Sequence, residues 1–197
     1  AVKTTTGETL YTREQYDMGR EVWQSVGGHQ MGSIWGHGSY VAPDWSADWL
    51  HREATALLDL WAQRDAGKAY ADLDAVQQAG LQARLQQTMR ENTYDPATGV
   101  ITVDEDRAQA IRQVNDHYMR LFGPDVELNT LRAQYAIQQN PIPDADQRQA
   151  MMAFFFWTSR SASTHRPDNT ITYTSNWPSE PLVGNVPTTS TYLWTFI

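Results

Sequence analysis

The chain has 197 residues, 15 of them basic and 23 acidic, for a net charge of −8, a balance that argues against nucleic acid and anionic lipid headgroups as partners. It contains no cysteine, which excludes disulfides, thiolate metal sites and thioether-linked haem within it. No run of about 18 apolar residues occurs, so the chain as given does not span a bilayer. Eight tryptophans and nine tyrosines supply the bulk for one packed domain over residues 1–197.

Residues 1–9 read as polar and featureless. A helix then opens on a capping box, Thr12 with Gln15. Tyr16, Gly19, Val22, Trp23 and Val26 share one face of it, and Gly27-Gly28 ends it. There follows Gly27-Gly28-His29-Gln30-Met31-Gly32-Ser33-Ile34-Trp35-Gly36-His37-Gly38-Ser39-Tyr40-Val41-Ala42-Pro43-Asp44-Trp45, a stretch whose spacing is neither helical nor strand-like. Five glycines with large aromatics between them point to an ordered, buried loop that holds something or once held it.

The second helix is expected from Ser46 or Ala47 to Arg64, capped by Asp44 or Ser46, with Leu50, Ala54, Leu57, Leu58 and Trp61 inward. A third, outer helix starts near Leu73 on the Asp74/Gln77 capping box and continues through Val76, Leu81, Leu85 and Met89. Residues 93–103 form a hairpin around Pro96 and Gly99. Asp104 caps a helix that turns Ile111, Val114, Tyr118, Leu121 and Phe122 inward and stops at Gly123-Pro124. Leu128, Leu131 and Tyr135 suggest one more short helix. Pro143-Asp144-Ala145-Asp146-Gln147 then reads as a third capping box, opening the most hydrophobic helix, with Met151, Met152, Phe154, Phe155, Phe156 and Trp157 apolar almost all round, and so central. Residues 165–197 read as an extended arm with one strand at 170–174. Its end, Tyr192-Leu193-Trp194-Thr195-Phe196-Ile197, is either a last strand or the start of a transmembrane helix lying beyond the sequence. The segment 67–122 is read as an insertion. The fold class is mainly α with a small β-hairpin.

Chemical motifs are scarce. The five histidines include no i, i+4 pair and no H-E-x-x-H, so no metal site is assigned. No G-x-S-x-G elbow and no phosphate loop occurs. No catalytic residue is assigned either. Asp44, Trp45, Asp48, Trp49 and Glu53 pair carboxylates with tryptophan, as a sugar-binding cleft does. The competing reading puts the carboxylates in a helix's first turn and the tryptophans in the core. An independent periplasmic binding domain using Asp44, Trp45 and Trp49 for a sugar-type ligand stands as the alternative function.

Val22-Trp23-Gln24-Ser25, the loop from Gly32 to Trp45, and Asp48-Trp49-Leu50-His51-Arg52-Glu53 together resemble the hydrophilic region of quinol-dependent nitric oxide reductases. The resemblance continues through Asn92-Thr93-Tyr94-Asp95-Pro96-Ala97-Thr98-Gly99, Phe154-Phe155-Phe156-Trp157-Thr158, Asn176-Trp177-Pro178 and Pro181-Leu182-Val183-Gly184-Asn185, and so covers essentially the whole chain. It implies an extracytoplasmic (periplasmic) domain between a first transmembrane helix and a catalytic bundle. The intact enzyme would take electrons from the membrane quinol pool and convert two NO to N2O and water. Haem b groups and a non-haem iron would sit in the missing membrane domain, and the fragment itself would be non-catalytic. Its partner would be its own transmembrane catalytic domain; the oligomeric state is left open.

Gly36-x-Gly38-x-Tyr40-x-Ala42-Pro43 is also similar to a motif that follows the C-x-x-C-H of the haem c subunit in the related cytochrome-c-dependent reductases. In that register the lost attachment positions are Gly28 and Met31, and the lost proximal histidine is Gly32. The resemblance therefore implies a cytochrome c-like core without cofactor, its former haem space refilled by aromatic and Met side chains. A void of that size would be costly at roughly 24 cal/mol per Å3. Candidate contacts to the membrane domain are Gly36, His37, Gly38, Tyr40, Asn176, Trp177 and Pro178. Arg160 stands where the family pattern suggests an apolar residue.

Overall fold

A computed structural model describes residues 1–36, 42–187, 189, 190 and 193. Local cap chemistry sets the helix starts. Thr12 precedes α1 (Arg13–Ser25), and its hydroxyl accepts from the Gln15 backbone N–H while the Gln15 side chain accepts from Thr12 N–H. Asp44 caps α2 (Trp45–Ala66), and Asp74 with Gln77 forms the second box at α3 (Ala75–Arg90). Asp104 and Asp144 cap α4 (Glu105–Leu121) and α6 (Ala145–Ser163), with the short α5 (Asn129–Gln134) between them.

The hairpin expected at 93–103 is present as β3 (Tyr94–Asp95) and β4 (Val100–Val103), paired antiparallel. Residues 1–9, read as featureless, contain β1 (Val2–Thr4), and β2 (Thr9–Tyr11) follows. They extend the hairpin into a four-stranded sheet of order β2-β1-β4-β3, in which Val2 lies beside Ile101 in a parallel pair. Three-residue strands are too short for an alternation to register in sequence, although Val2 and Thr4 are both buried. The strand expected at 170–174 is absent: one isolated bridge, His165 with Thr172, stands in its place. The arm instead runs through turns to a short 3-10 helix, Pro181–Val183.

Helix α6 is central, as its all-round apolar pattern requires, and packs against α1, α2 and α4. Its approach to α1 is close because Gly19 has no side chain; a Cβ there would lie 2.0 Å from the Ala150 carbonyl oxygen. The main core joins Trp23, Trp45, Trp49, Tyr118, Phe122 and the Phe154-Phe155-Phe156 run. A second cluster, with Leu50, Leu57, Trp61, Leu85 and Met89, lies between α2 and α3. Helix α4 and its C-cap, within the 67–122 segment, give Tyr118 and Phe122 to the main core. Val76, at the start of α3, is 82% exposed, and Trp157, counted in the all-round apolar run, stands at the surface of α6. Among the described residues no helix is long and apolar enough to cross a membrane.

Candidate functional site

The glycine loop is held by one carboxylate. Asp44 Oδ2 accepts from Ser33 Oγ and from Gly36 N–H, both at 2.7 Å. Asp44 Oδ1 accepts from the Ala47 N–H at 2.9 Å, the cap of α2, and from Ser46 Oγ. The same residue therefore starts the helix and closes the loop. Ser33 and Asp44 also form a parallel bridge, with Trp45 N–H donating to Ser33 O at 2.9 Å. Trp35 is set by its indole N–H, which donates to the Thr158 carbonyl at 2.7 Å.

The three positions that the resemblance pairs with haem attachment lie at the start of this loop. Gly28 opens a short 3-10 helix, Gly28–Gln30, and packs on the Trp23 ring. Met31 is half-buried against the main core. At Gly32, with φ +142°, a Cβ would meet Trp45 Nε1 at 2.2 Å and Pro43 O at 2.7 Å. Trp45 is fully buried, lies parallel to Phe155 with ring centroids 5.7 Å apart, and meets Tyr118, Phe122 and Tyr135 edge-on. A histidine side chain has no room at Gly32, and no thiol exists to attach a porphyrin. These residues do not fit a covalently held haem.

The sugar-binding alternative fails on the same geometry. Trp45 and Trp49 are 0% exposed, and Asp44 is occupied by the loop and the helix cap. Trp49 donates its indole N–H to Glu53 Oε2 at 2.9 Å, and Glu53 Oε1 accepts from Arg107 Nε at 2.7 Å in a buried ion pair. The aromatic-acidic pattern is core and cap, because a helix N-terminus favours carboxylates and an inward α2 face favours tryptophan.

Residues 165–187 are tied down by a residue that sequence reasoning passed over. Arg90, at the end of α3, donates to His165 Nε2 (2.7 Å), to Val183 O, Asn185 Oδ1 and Asn176 Oδ1 (3.0 Å each) and to Thr170 O (3.3 Å). An arginine in a helix's last turn usually signals only the macrodipole, so nothing local marks it out. Burial pushes the His165 pKa down, and the neighbouring Arg90 charge adds to it, in keeping with an Nε2 that accepts. Asn176 spends its side-chain oxygen inside the arm, accepting from Arg90 and from Thr172 N–H. Pro178 is buried behind a cis bond to Trp177. Of the predicted contact residues, Gly36 is fixed by Asp44, whereas His37, Gly38 and Tyr40 lie outside the described residues.

Trp35 and Trp177 line one cleft of about 1040 Å3, walled also by Tyr16, Trp157 and Tyr173 and reached by Arg160 of α6. The Tyr16 and Trp157 rings are 4.9 Å apart and those of Trp35 and Trp157 6.1 Å. The cleft thus lies between the glycine loop and the arm. A second, shallower groove of about 370 Å3 is bordered by His51, Arg52 and His117. Burial there pushes the His117 pKa down to about 4. His51 Nδ1 pairs with Glu180 Oε2 at 2.7 Å. Among the described residues no three His, Asp or Glu side chains group as metal ligands do.

Comparison with known families gives one assignment. The NorB cytochrome c-like domain family, a domain of nitric oxide reductase, matches residues 1–179. No curated protein matches the chain.

Proposed function

The chain belongs to the NorB cytochrome c-like domain family of nitric oxide reductases, and from that premise we propose that it is the haem-free extracytoplasmic domain of a quinol-dependent member. In the intact enzyme, two NO molecules would be reduced to N2O and water at haem b and non-haem iron in a membrane domain. This domain would cap that bundle and take no part in electron transfer. The observation that carries the reading is the closure of Gly32 by Trp45, which leaves no place for a proximal ligand at the position where the register expects one. A cytochrome c-like domain in that state keeps a packing role and loses a redox one.

The face proposed to meet the membrane domain includes Gly36, His37, Gly38 and Tyr40 of the loop and Trp177 of the arm. Two features support it: Trp177 is half-buried at the surface of the arm, and Arg90 ties the arm to the body, with the cleft between loop and arm left outside the proposed contact. Preorganised aromatic side chains at a surface suit docking, since little side-chain freedom is lost on contact. Trp177→Ala in the intact reductase is expected to lower the yield of assembled enzyme and its quinol-driven NO reduction. Unchanged assembly and unchanged quinol oxidation would sink the docking role.

A further inference from the structure

We propose that the cleft reached by Arg160 is a binding site for a small monoanion that carries a carboxylate on a flat, apolar ring. Charge comes first. Arg160 is 5% exposed, yet among the described residues the one hydrogen bond of its guanidinium runs from Nη2 to Asn92 Oδ1 at 3.4 Å. Its Nε is buried with no partner among them. No described carboxylate pairs with it as an ion. The buried acid whose charge reaches it, Glu53, is held by Arg107 and Trp49. Within this group of three, two arginines against one glutamate leave one net positive charge. Elsewhere in the lining, Arg13 is paired with Asp17 at 2.8 Å and the Ala1 ammonium donates to the Gly99 carbonyl at 3.0 Å, so Arg160 is the buried charge left to answer.

A guanidinium without acceptors is costly to bury and is compensated by an anion that brings its own oxygens. One uncompensated charge matches a monoanion better than a dianionic phosphate, and the planar fork of arginine fits a carboxylate in two parallel hydrogen bonds. The walls specify the rest of the ligand. Tyr16, Trp157 and Trp35 present ring faces and edges, and Trp35 is locked in place by its bond to the Thr158 carbonyl. Aromatic walls with a few polar groups, here Arg160 with Thr12, Ser161 and Thr174, are the usual composition of a small-molecule site, and the volume of about 1040 Å3 lies just above the ordinary range of about 300–1,000 Å3.

The site does not include Gly32 or Trp45. Equilibrium dialysis of the intact reductase against radiolabelled benzoate tests it, with benzamide as the neutral isostere. Saturable benzoate binding is expected, with affinity at least about tenfold above benzamide, since a hydrogen bond to a charged group accounts for roughly that factor. Arg160→Gln should remove the preference for benzoate. Trp157→Leu should weaken both ligands several-fold. No saturable binding, or equal affinity for benzoate and benzamide in the unmodified protein, overturns the proposal without reference to any variant. So does benzoate binding to the 197-residue chain that vanishes in the intact protein, because the cleft would then be covered by the rest of the enzyme.

Discussion

Residues 151–156 of α6 carry apolar side chains on every side, while residues 158–163 carry hydroxyls and the Arg160 guanidinium, and both stretches are buried. The first half is packed to completion: Phe155 lies against Trp45, Phe154 against Trp23 and Phe156 against Tyr11. Its polar cost is small, two indole N–H groups (Trp23 and Trp45) left without acceptors among the described residues, at about 1–3 kcal/mol each. The second half is built the other way. Its hydroxyls mostly satisfy themselves on the helix, Thr158 to Phe155 O and Ser161 to Trp157 O, but it leaves a charged group short of partners beside an open cleft. One end of the helix is closely packed; the other borders a cleft and keeps an unspent charge. A closely packed end is what the proposed loss of a cofactor requires, and a costly charge beside a cleft suits a ligand.

Substitutions can break this contrast, beginning at the filled end. Trp45→Ala should cost about 3–5 kcal/mol, read from denaturant unfolding of the chain, because a fully buried indole leaves a cavity that its aromatic neighbours cannot all close. A loss below about 1 kcal/mol would mean the aromatic cluster is loose. Glu53→Ala should cost about 3 kcal/mol or more by the same measurement, since it strands Arg107 as well as Arg160 among buried neighbours. Arg160→Met sharpens the difference between the halves. Its expected effect on stability is neutral or a gain of about 1 kcal/mol, as when a buried ion is replaced by a side chain of similar volume. A large destabilisation would show that Arg160 holds the fold.

The smallest effect is one of pH. The His117 pKa lies at about 4, depressed from 6.5 chiefly by burial and next by the Arg52 charge, and the His165 pKa is depressed in the same direction. A histidine held neutral in the folded protein binds its proton more readily when unfolded. Stability is therefore complete above the unfolded value of 6.5 and declines as pH falls from there toward about 4. His117 is partly open to solvent, so its share is about 1 kcal/mol after screening. His117→Leu should flatten the thermal midpoint over that interval, and an unaltered slope would assign the acid sensitivity elsewhere.

Much of the fold is legible in the sequence, because helix caps are three-residue chemistry. Thr12 with Gln15 and Asp74 with Gln77 name their own roles, and the all-round apolar run after Asp144 identifies the central helix. What stays hidden is held by distant partners. Strand β1 exists through pairing with Ile101 and its neighbours, and the arm is shaped by Arg90, whose acceptors lie 75 to 95 residues away. The Asp44, Trp45 and Trp49 cluster shows the opposite failure, in which a pattern compatible with ligand binding is used up by a helix cap and a core. Gly32 is the clearest gain. Sequence places it where a ligand would have been, and the Trp45 ring explains why only glycine fits there.

That closure is tested most directly by the absorption spectrum of this chain, produced in cells supplied with excess haem and carrying haem c maturation machinery. The expected spectrum shows tryptophan and tyrosine absorbance and no Soret band, before or after dithionite. A Soret band that shifts on reduction, in stoichiometric amount, would mean that Trp45 gives way to a porphyrin and would contradict the account.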